Sequence, residues 1–244
     1  MKISVVYYLK VTVFLCLALH LVACANLGSK GDPRDPFEGL NRGVYSFNEK
    51  FDQAVMSRLI SFYQAITPDF LDRGITNFFS NIDDIVVVIN DFLQFKIGQA
   101  FSDITRFVFN STLGIGGLFD VSTTIGYPKH NEDFGQTLGK WGFGSGPYLV
   151  VPVLGPSTFR DAGGYAVANA FIPPLTYIDS ISVQLGVTSL DYVDFKADML
   201  TAEQLLAEAA LDKYEFTKNA YFELRENLIH DREDGGVNFE ELDL

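Results

Sequence analysis

Hydrophobic residues recur at three- and four-residue steps along much of the chain, a period that predicts helices. Phe37, Leu40, Val44, Phe47 and Phe51 form one apolar stripe, with Arg42, Glu49 and Gln53 opposite. Asp35, Pro36 and Glu38 read as its start: a cap, a proline at the first helical position and the acid of a capping box. Thr67-Pro68-Asp69 predicts a second helix to about Phe79, and Asp83 or Asp84 a third, very apolar one through Phe95. A fourth, from about Gly98 to Leu113, sets Ile97, Phe101, Ile104 and Val108 against Gln99, Asp103, Arg106 and Asn110. Gly114 is its natural stop.

The pattern then changes. Between Gly114 and Gly164 glycines crowd in, and Pro128, Pro147, Pro152 and Pro156 exclude long helices. Two short helices with an irregular, glycine-rich apolar hairpin between them are expected, its apex at Gly142-Phe143-Gly144-Ser145-Gly146. Pro156-Ser157-Thr158 introduces a helix to about Phe171, which Pro173-Pro174 ends. Short helices are expected over 175–198. Thr201 and Gln204 offer a capping box for a last helix, striped by Leu206, Ala210, Tyr214, Thr217, Tyr221, Leu224 and Leu228. No internal repeat and no convincing strand ladder is visible, so the fold class is mainly α.

The N-terminus follows another rule. Lys2 and Lys10 flank a short apolar core, Val11 to Leu19, and small residues follow, as in a secretory signal. Leu21-Val22-Ala23-Cys24 resembles the lipobox of bacterial lipoproteins, in which the cysteine becomes the acylated first residue. The chain therefore divides into a signal peptide (1–23), a lipidated tether (24–34), a helical domain (35–229) and an acidic mobile tail (230–244). After the signal no segment offers the ~20 mostly apolar residues of a spanning helix. The best run, Ile85 to Ile89, is closed by Asn90 and Asp91. The chain is expected outside the bilayer or lying in one leaflet.

Charge sharpens this picture. There are 31 acidic against 18 basic residues, and loss of Lys2 and Lys10 with the leader moves the formal charge from -13 to -15. Nucleic-acid binding, which needs clustered cations, is excluded, as is a polybasic attraction to anionic headgroups. Membrane contact must be mainly apolar, and 22 Phe and 11 Tyr suit that. Of the two cysteines Cys16 lies in the leader, so processing leaves none for a disulfide or a metal. His20, His130 and His230 lack metal-ligand spacing, and no cofactor motif appears. Gly144-Ser145-Gly146 is out of frame for a nucleophile elbow. The acidic run from Asp231 lacks the acid a calcium loop needs at its twelfth position, Leu242. The sequence does not read as an enzyme.

Four blocks carry a family resemblance. The first runs Asp35-Pro36-Phe37-Glu38-Gly39-Leu40-Asn41-Arg42, with Tyr45 and Phe47-Asn48. The second is Arg106 to Thr112, with Gly114 and Gly117 to Val121. The third is Glu132 to Gly139, with Trp141-Gly142 and Gly146-Pro147-Tyr148; the fourth is Gly155 to Thr158 with Arg160-Asp161. In this order they resemble the MlaA (VacJ) family of outer-membrane lipoproteins. Ile85 stands where that family commonly has proline.

The resemblance implies a ring-like bundle of amphipathic helices in the inner leaflet of the outer membrane, facing the periplasm. A passive channel would let phospholipid pass between the outer leaflet and a periplasmic carrier protein, preserving lipid asymmetry, with an outer-membrane porin holding the ring. Cys24 would be the lipidation site. Gly142, Gly144 and Gly146 are the candidate gate, although a tight turn needing positive φ explains them equally. Gln99, Asp103, Arg106 and Asn110 are candidate channel-lining residues, or a face against water or another helix. The alternative function is a structural, porin-associated lipoprotein that conducts no lipid; a lipid hydrolase ranks third.

Overall fold

The computed structural model describes residues 31–171 and 180–232. The signal peptide, Cys24, most of the tether and nearly all of the acidic tail lie outside them.

The first amphipathic stretch folds as α1 (Glu38–Phe51). A π-helical turn, Asp52–Met56, carries it without a break into α2 (Ser57–Ile66), an element the stripe alone did not announce. Pro68 ends the rod by forcing Thr67 into extended backbone. The next two expected helices are a single one, α3 (Asp69–Leu93). Asp83 and Asp84 look like start signals, yet both accept from Lys129, and the neighbouring Asn81 also bonds across. Asn81 Nδ2 donates to Ser111 Oγ at 2.9 Å, and Asp84 Oδ1 accepts from Lys129 Nζ at 2.7 Å. Side chains so engaged do not compete for their own backbone, and no proline breaks the run. The chain turns at Gln94-Phe95-Lys96, with Phe95 at φ 61, into α4 (Ile97–Thr112), which packs back along α3.

Two short helices follow, α5 (Val121–Thr124) and α6 (Phe134–Lys140), capped by Asp120 and Asp133. Against expectation a two-stranded ladder comes next. Strand β1 (Tyr148–Val151) pairs antiparallel with β2 (Gly155–Thr158), in register from Tyr148 with Thr158 to Val151 with Gly155. The hairpin apex is therefore Pro152-Val153-Leu154, and Gly142–Gly146 forms the loop from α6 into β1. Pro156-Ser157-Thr158 is strand rather than helix start. Thr158 still caps, its hydroxyl accepting from Asp161 N at 3.2 Å at the start of α7 (Phe159–Phe171). The region expected to hold short helices contains one long helix, α8 (Ile181–Ala209), in which Thr201 is internal rather than a cap. Asp212 caps α9 (Lys213–Ile229) through Glu215 N, so the expected last stripe is shared between two helices.

Burial runs against the rule for proteins in water. Among the described residues, nineteen polar or charged side chains are buried against nine hydrophobic ones. On α3 the buried positions are Asn81, Asp84, Val87, Asn90 and Asp91; on α4 they are Ala100, Asp103, Arg106 and Asn110. The apolar faces of the same helices point outward, with Phe70 72% and Phe95, at the turn, 83% exposed. Among the described residues a conventional core cluster lies where α1, β1 and α9 meet, around Tyr148, Val150 and Tyr214. No described helix is long and apolar enough to cross a membrane.

Candidate functional site

The inward faces of α3 and α4 meet in a polar seam closed by the segment between α5 and α6. Arg106 sits at its centre, 2% exposed. Its Nη1 donates to Thr123 Oγ1 at 2.9 Å, Nη2 to Asp120 Oδ2 at 3.2 Å, and Nε lies 3.7 Å from Asp84 Oδ2. Asn110 takes part from the next turn, donating to Asp120 Oδ1 at 3.2 Å and accepting from Ser122 N at 3.0 Å. Asp103, fully buried, faces His130 Nδ1 at 3.0 Å. Gln99 Nε2 donates to Asp91 Oδ1 at 2.9 Å and to Glu132 Oε1 at 3.2 Å.

This seam holds more carboxylates than it can ionise. Burial, then a hydrogen bond and charge from Asp103, push Asp91 up to about 8, so it carries a proton at neutral pH. Burial also raises Asp84, against the opposing pull of Lys129 and Arg106.

On the other side of the fold, asparagines join helix to strand. Asn41 Nδ2 donates to Asp35 Oδ1 at 2.8 Å and to Tyr148 O at 3.1 Å, while its Oδ1 accepts from Val150 N at 3.0 Å. Two turns on, Asn48 donates to Val151 O at 3.0 Å and accepts from Val153 N at 2.8 Å. Asp35 is no cap. It is buried, accepts from Tyr214 Oη and lies 3.6 Å from the buried Lys218 Nζ. Glu38 instead pairs with Arg42 at 2.7 Å.

The glycine-rich loop has three different glycines. Gly142, at φ 90, is the left-handed residue of a Schellman stop for α6: it donates to Gly139 O at 2.9 Å, and Phe143 N to Leu138 O at 2.9 Å. Gly146, at φ 67, leaves a Cβ only 3.2 Å from Phe159 Cβ. Gly144 has open space around it and no positive φ. Beside this loop lies a cavity of about 230 Å³, lined in part by Gly144, Ser145, Arg160, Phe222, Arg225 and Glu226. Arg225 is fixed there by Asp133 Oδ1 at 2.9 Å and Asp161 Oδ1 at 3.0 Å; Arg160 Nε holds Asp161 at 2.8 Å. Burial opposes ionisation of Asp133 and Asp161, but these guanidinium contacts win and hold both below the usual carboxylate range.

Of the expected lining residues, Asp103, Arg106 and Asn110 are brought together and are buried. A side chain sealed from solvent faces no open passage; only Gln99 is half-exposed. Asn41 and Asn48 escaped the sequence reading, although a polar residue repeating at seven positions beside an apolar stripe is a detectable sign of a second, inward face. Among the described residues no cluster has the composition of a metal site.

The model of the MlaA lipoprotein family matches residues 33–228. The chain is 34% identical over 209 residues to the intermembrane phospholipid transport system lipoprotein MlaA of Escherichia coli, covering 83% of this chain and 82% of that protein. An uncharacterised protein of Rickettsia felis is 33% identical over 192 residues, covering 79% and 76% respectively. A structure solved in work on the maintenance of bacterial outer membrane lipid asymmetry superposes with a TM-score of 0.70 at 30% identity, covering 80% of this chain and 98% of that one.

Proposed function

The chain belongs to the MlaA lipoprotein family, and from that premise we propose that it is an outer-membrane lipoprotein giving phospholipid a passive path between the outer leaflet and a periplasmic lipid carrier. Lipid asymmetry is maintained as a result. The observation that carries this reading is the inverted burial: polar and charged side chains inside, large apolar side chains outside. In water that arrangement is unfavourable, because exposed apolar surface costs about 25 cal/mol per Å². In hydrocarbon it is what the solvent selects. Without a described helix able to cross, the bundle lies in one leaflet, as a ring in the inner leaflet open to the periplasm. Acylated Cys24 adds the tether, and an outer-membrane porin steadies the ring.

In this reading Asp103, Arg106 and Asn110 brace the wall of the conduit and Gln99 reaches its edge. Gly142 and Gly146 are fixed pivots and Gly144 the free joint between them, so the loop serves as gate. Flow is passive, since no nucleotide-binding motif accompanies it.

The test has two arms. Cells lacking the protein should accumulate phospholipid in the outer leaflet, and purified protein in vesicles should pass phospholipid to a periplasmic carrier. Porin association without any lipid transfer would instead establish a structural lipoprotein. Cys24→Ser should abolish acylation and outer-membrane delivery; normal delivery of that variant would remove the anchor from the account.

A further inference from the structure

The cavity beside the glycine-rich loop has two properties that transport alone does not require. It carries charges of both signs, and its polar wall adjoins apolar surface. The cationic side is Arg160 and Arg225. Arg160 is nearly buried, its Nη1 lying 3.4 Å from Phe143 O; Arg225 is held in place by its two carboxylates. The anionic side is Glu226, on the same helix as Arg225, with its side chain 59% exposed and in contact with His230 Nε2 at 3.0 Å. Among the described residues the backbone N–H groups of Gly144 and Ser145 have no acceptor. They are free donors in a loop bent by the left-handed Gly142 and Gly146, a geometry that favours anions. Phe143 and Phe222 complete the lining.

We propose that this cavity is a headgroup subsite that takes a phosphoethanolamine group. The phosphate meets Arg160 and the Gly144–Ser145 amides, the ammonium meets Glu226, and the acyl chains leave over Phe143. Guanidinium groups suit phosphate oxygens because they donate in a planar fork. A purely anionic headgroup would place a second uncompensated negative region or a neutral alcohol against Glu226, so the pocket discriminates by charge pattern. The inference rests on the phospholipid reading of the preceding subsection and adds a preference to it.

Trp141, the only tryptophan in the chain, adjoins the loop and reports occupancy through its fluorescence. Full-length protein in nanodiscs is titrated with dihexanoyl phosphatidylethanolamine and dihexanoyl phosphatidylglycerol. Wild type should bind the first about threefold more tightly, the size expected of one partly exposed ion pair. Glu226→Gln, on the surface and harmless to packing, should bring that ratio to one. Arg160→Gln should weaken both lipids about tenfold, as loss of a charge-assisted hydrogen bond does, and Arg160→Lys should recover part of the loss. An unchanged ratio in Glu226→Gln overturns the subsite, since the general repulsion of anionic lipid by this acidic chain would then be its whole cause. Lipid transfer to a carrier is measured on the same samples. A wild type that shows the Glu226-dependent ratio but transfers nothing supports the subsite and defeats the transport reading. Transfer without that ratio does the reverse.

Discussion

Around Tyr148 the rings of Tyr214, Tyr221 and Phe222 meet its own at 5.7–6.2 Å, and the packing is that of an ordinary protein interior. Between α3 and α4 the buried side chains are asparagines, aspartates and an arginine, and the phenylalanines stand outside. One chain thus uses two opposite solutions to burial within one fold. The difference teaches that the surroundings, not the helices, decide which face turns in. A helix with one apolar and one polar face presents whichever face its solvent accepts. In the proposed function the aromatic region is the part that meets water, and the α3–α4 hairpin the part that meets hydrocarbon.

The contrast can be broken from both sides. Tyr148→Ala removes the ring at the centre of the aromatic cluster and should cost about 3–5 kcal/mol, read by thermal or denaturant unfolding in detergent. Arg106→Met should cost a similar amount, about 3–5 kcal/mol, by the opposite chemistry, because it leaves Asp120 without its cation and Asp84 with Lys129 alone. If the methionine variant were as stable as wild type, the polar seam would not be what holds α3 to α4.

Asp91 offers a sharper probe, read along pH. Its folded state binds a proton up to about 8, whereas an unfolded aspartate releases it near its ordinary value of 3.8. Between those two values the folded protein holds more protons, so stability falls as pH rises. The fall should be on the order of a few kcal/mol and should be absent in Asp91→Asn, which stays neutral throughout. Parallel pH curves for the two proteins would show that Asp91 is ionised when folded.

At the junction of the two regions, Asn41→Ala should cost about 2 kcal/mol by stranding Tyr148 O and Val150 N. The smallest effects separate the glycines of the loop. Gly142→Ala, forced into left-handed backbone, should lose about 1–2 kcal/mol, while Gly144→Ala should stay within about 0.5 kcal/mol on unfolding. A defect of Gly144→Ala in lipid transfer without any loss of stability would mark it as the moving joint.

Much of this was legible in the residues. The stripes of α1 and α4 appear where their spacing placed them, and the four blocks taken in order led to the family. Periodicity finds two faces but does not say which one is inside, and here the assumption appropriate to water fails. The capping reading of Asp35 and Glu38 failed because Tyr214, far along the chain, claims Asp35, while Arg42, one helical turn on, claims Glu38. The β-hairpin was hidden because Pro156 sits within it. Proline cannot donate to a ladder, yet a two-stranded hairpin has an outer edge on which that is harmless. Similarly, Asp83 and Asp84 imitate a helix start that their bonds to Lys129 cancel.

The asparagine clip on β1 has a consequence for assembly. An unpaired strand edge is a template on which another chain can grow a sheet. Here the amides of Asn41 and Asn48 already occupy four of the backbone groups such an addition would need. The β1 edge is closed to recruitment by a β-rich neighbour. A partner that docks at this edge must do so through side chains, and can therefore slide, rotate or leave without unzipping a strand.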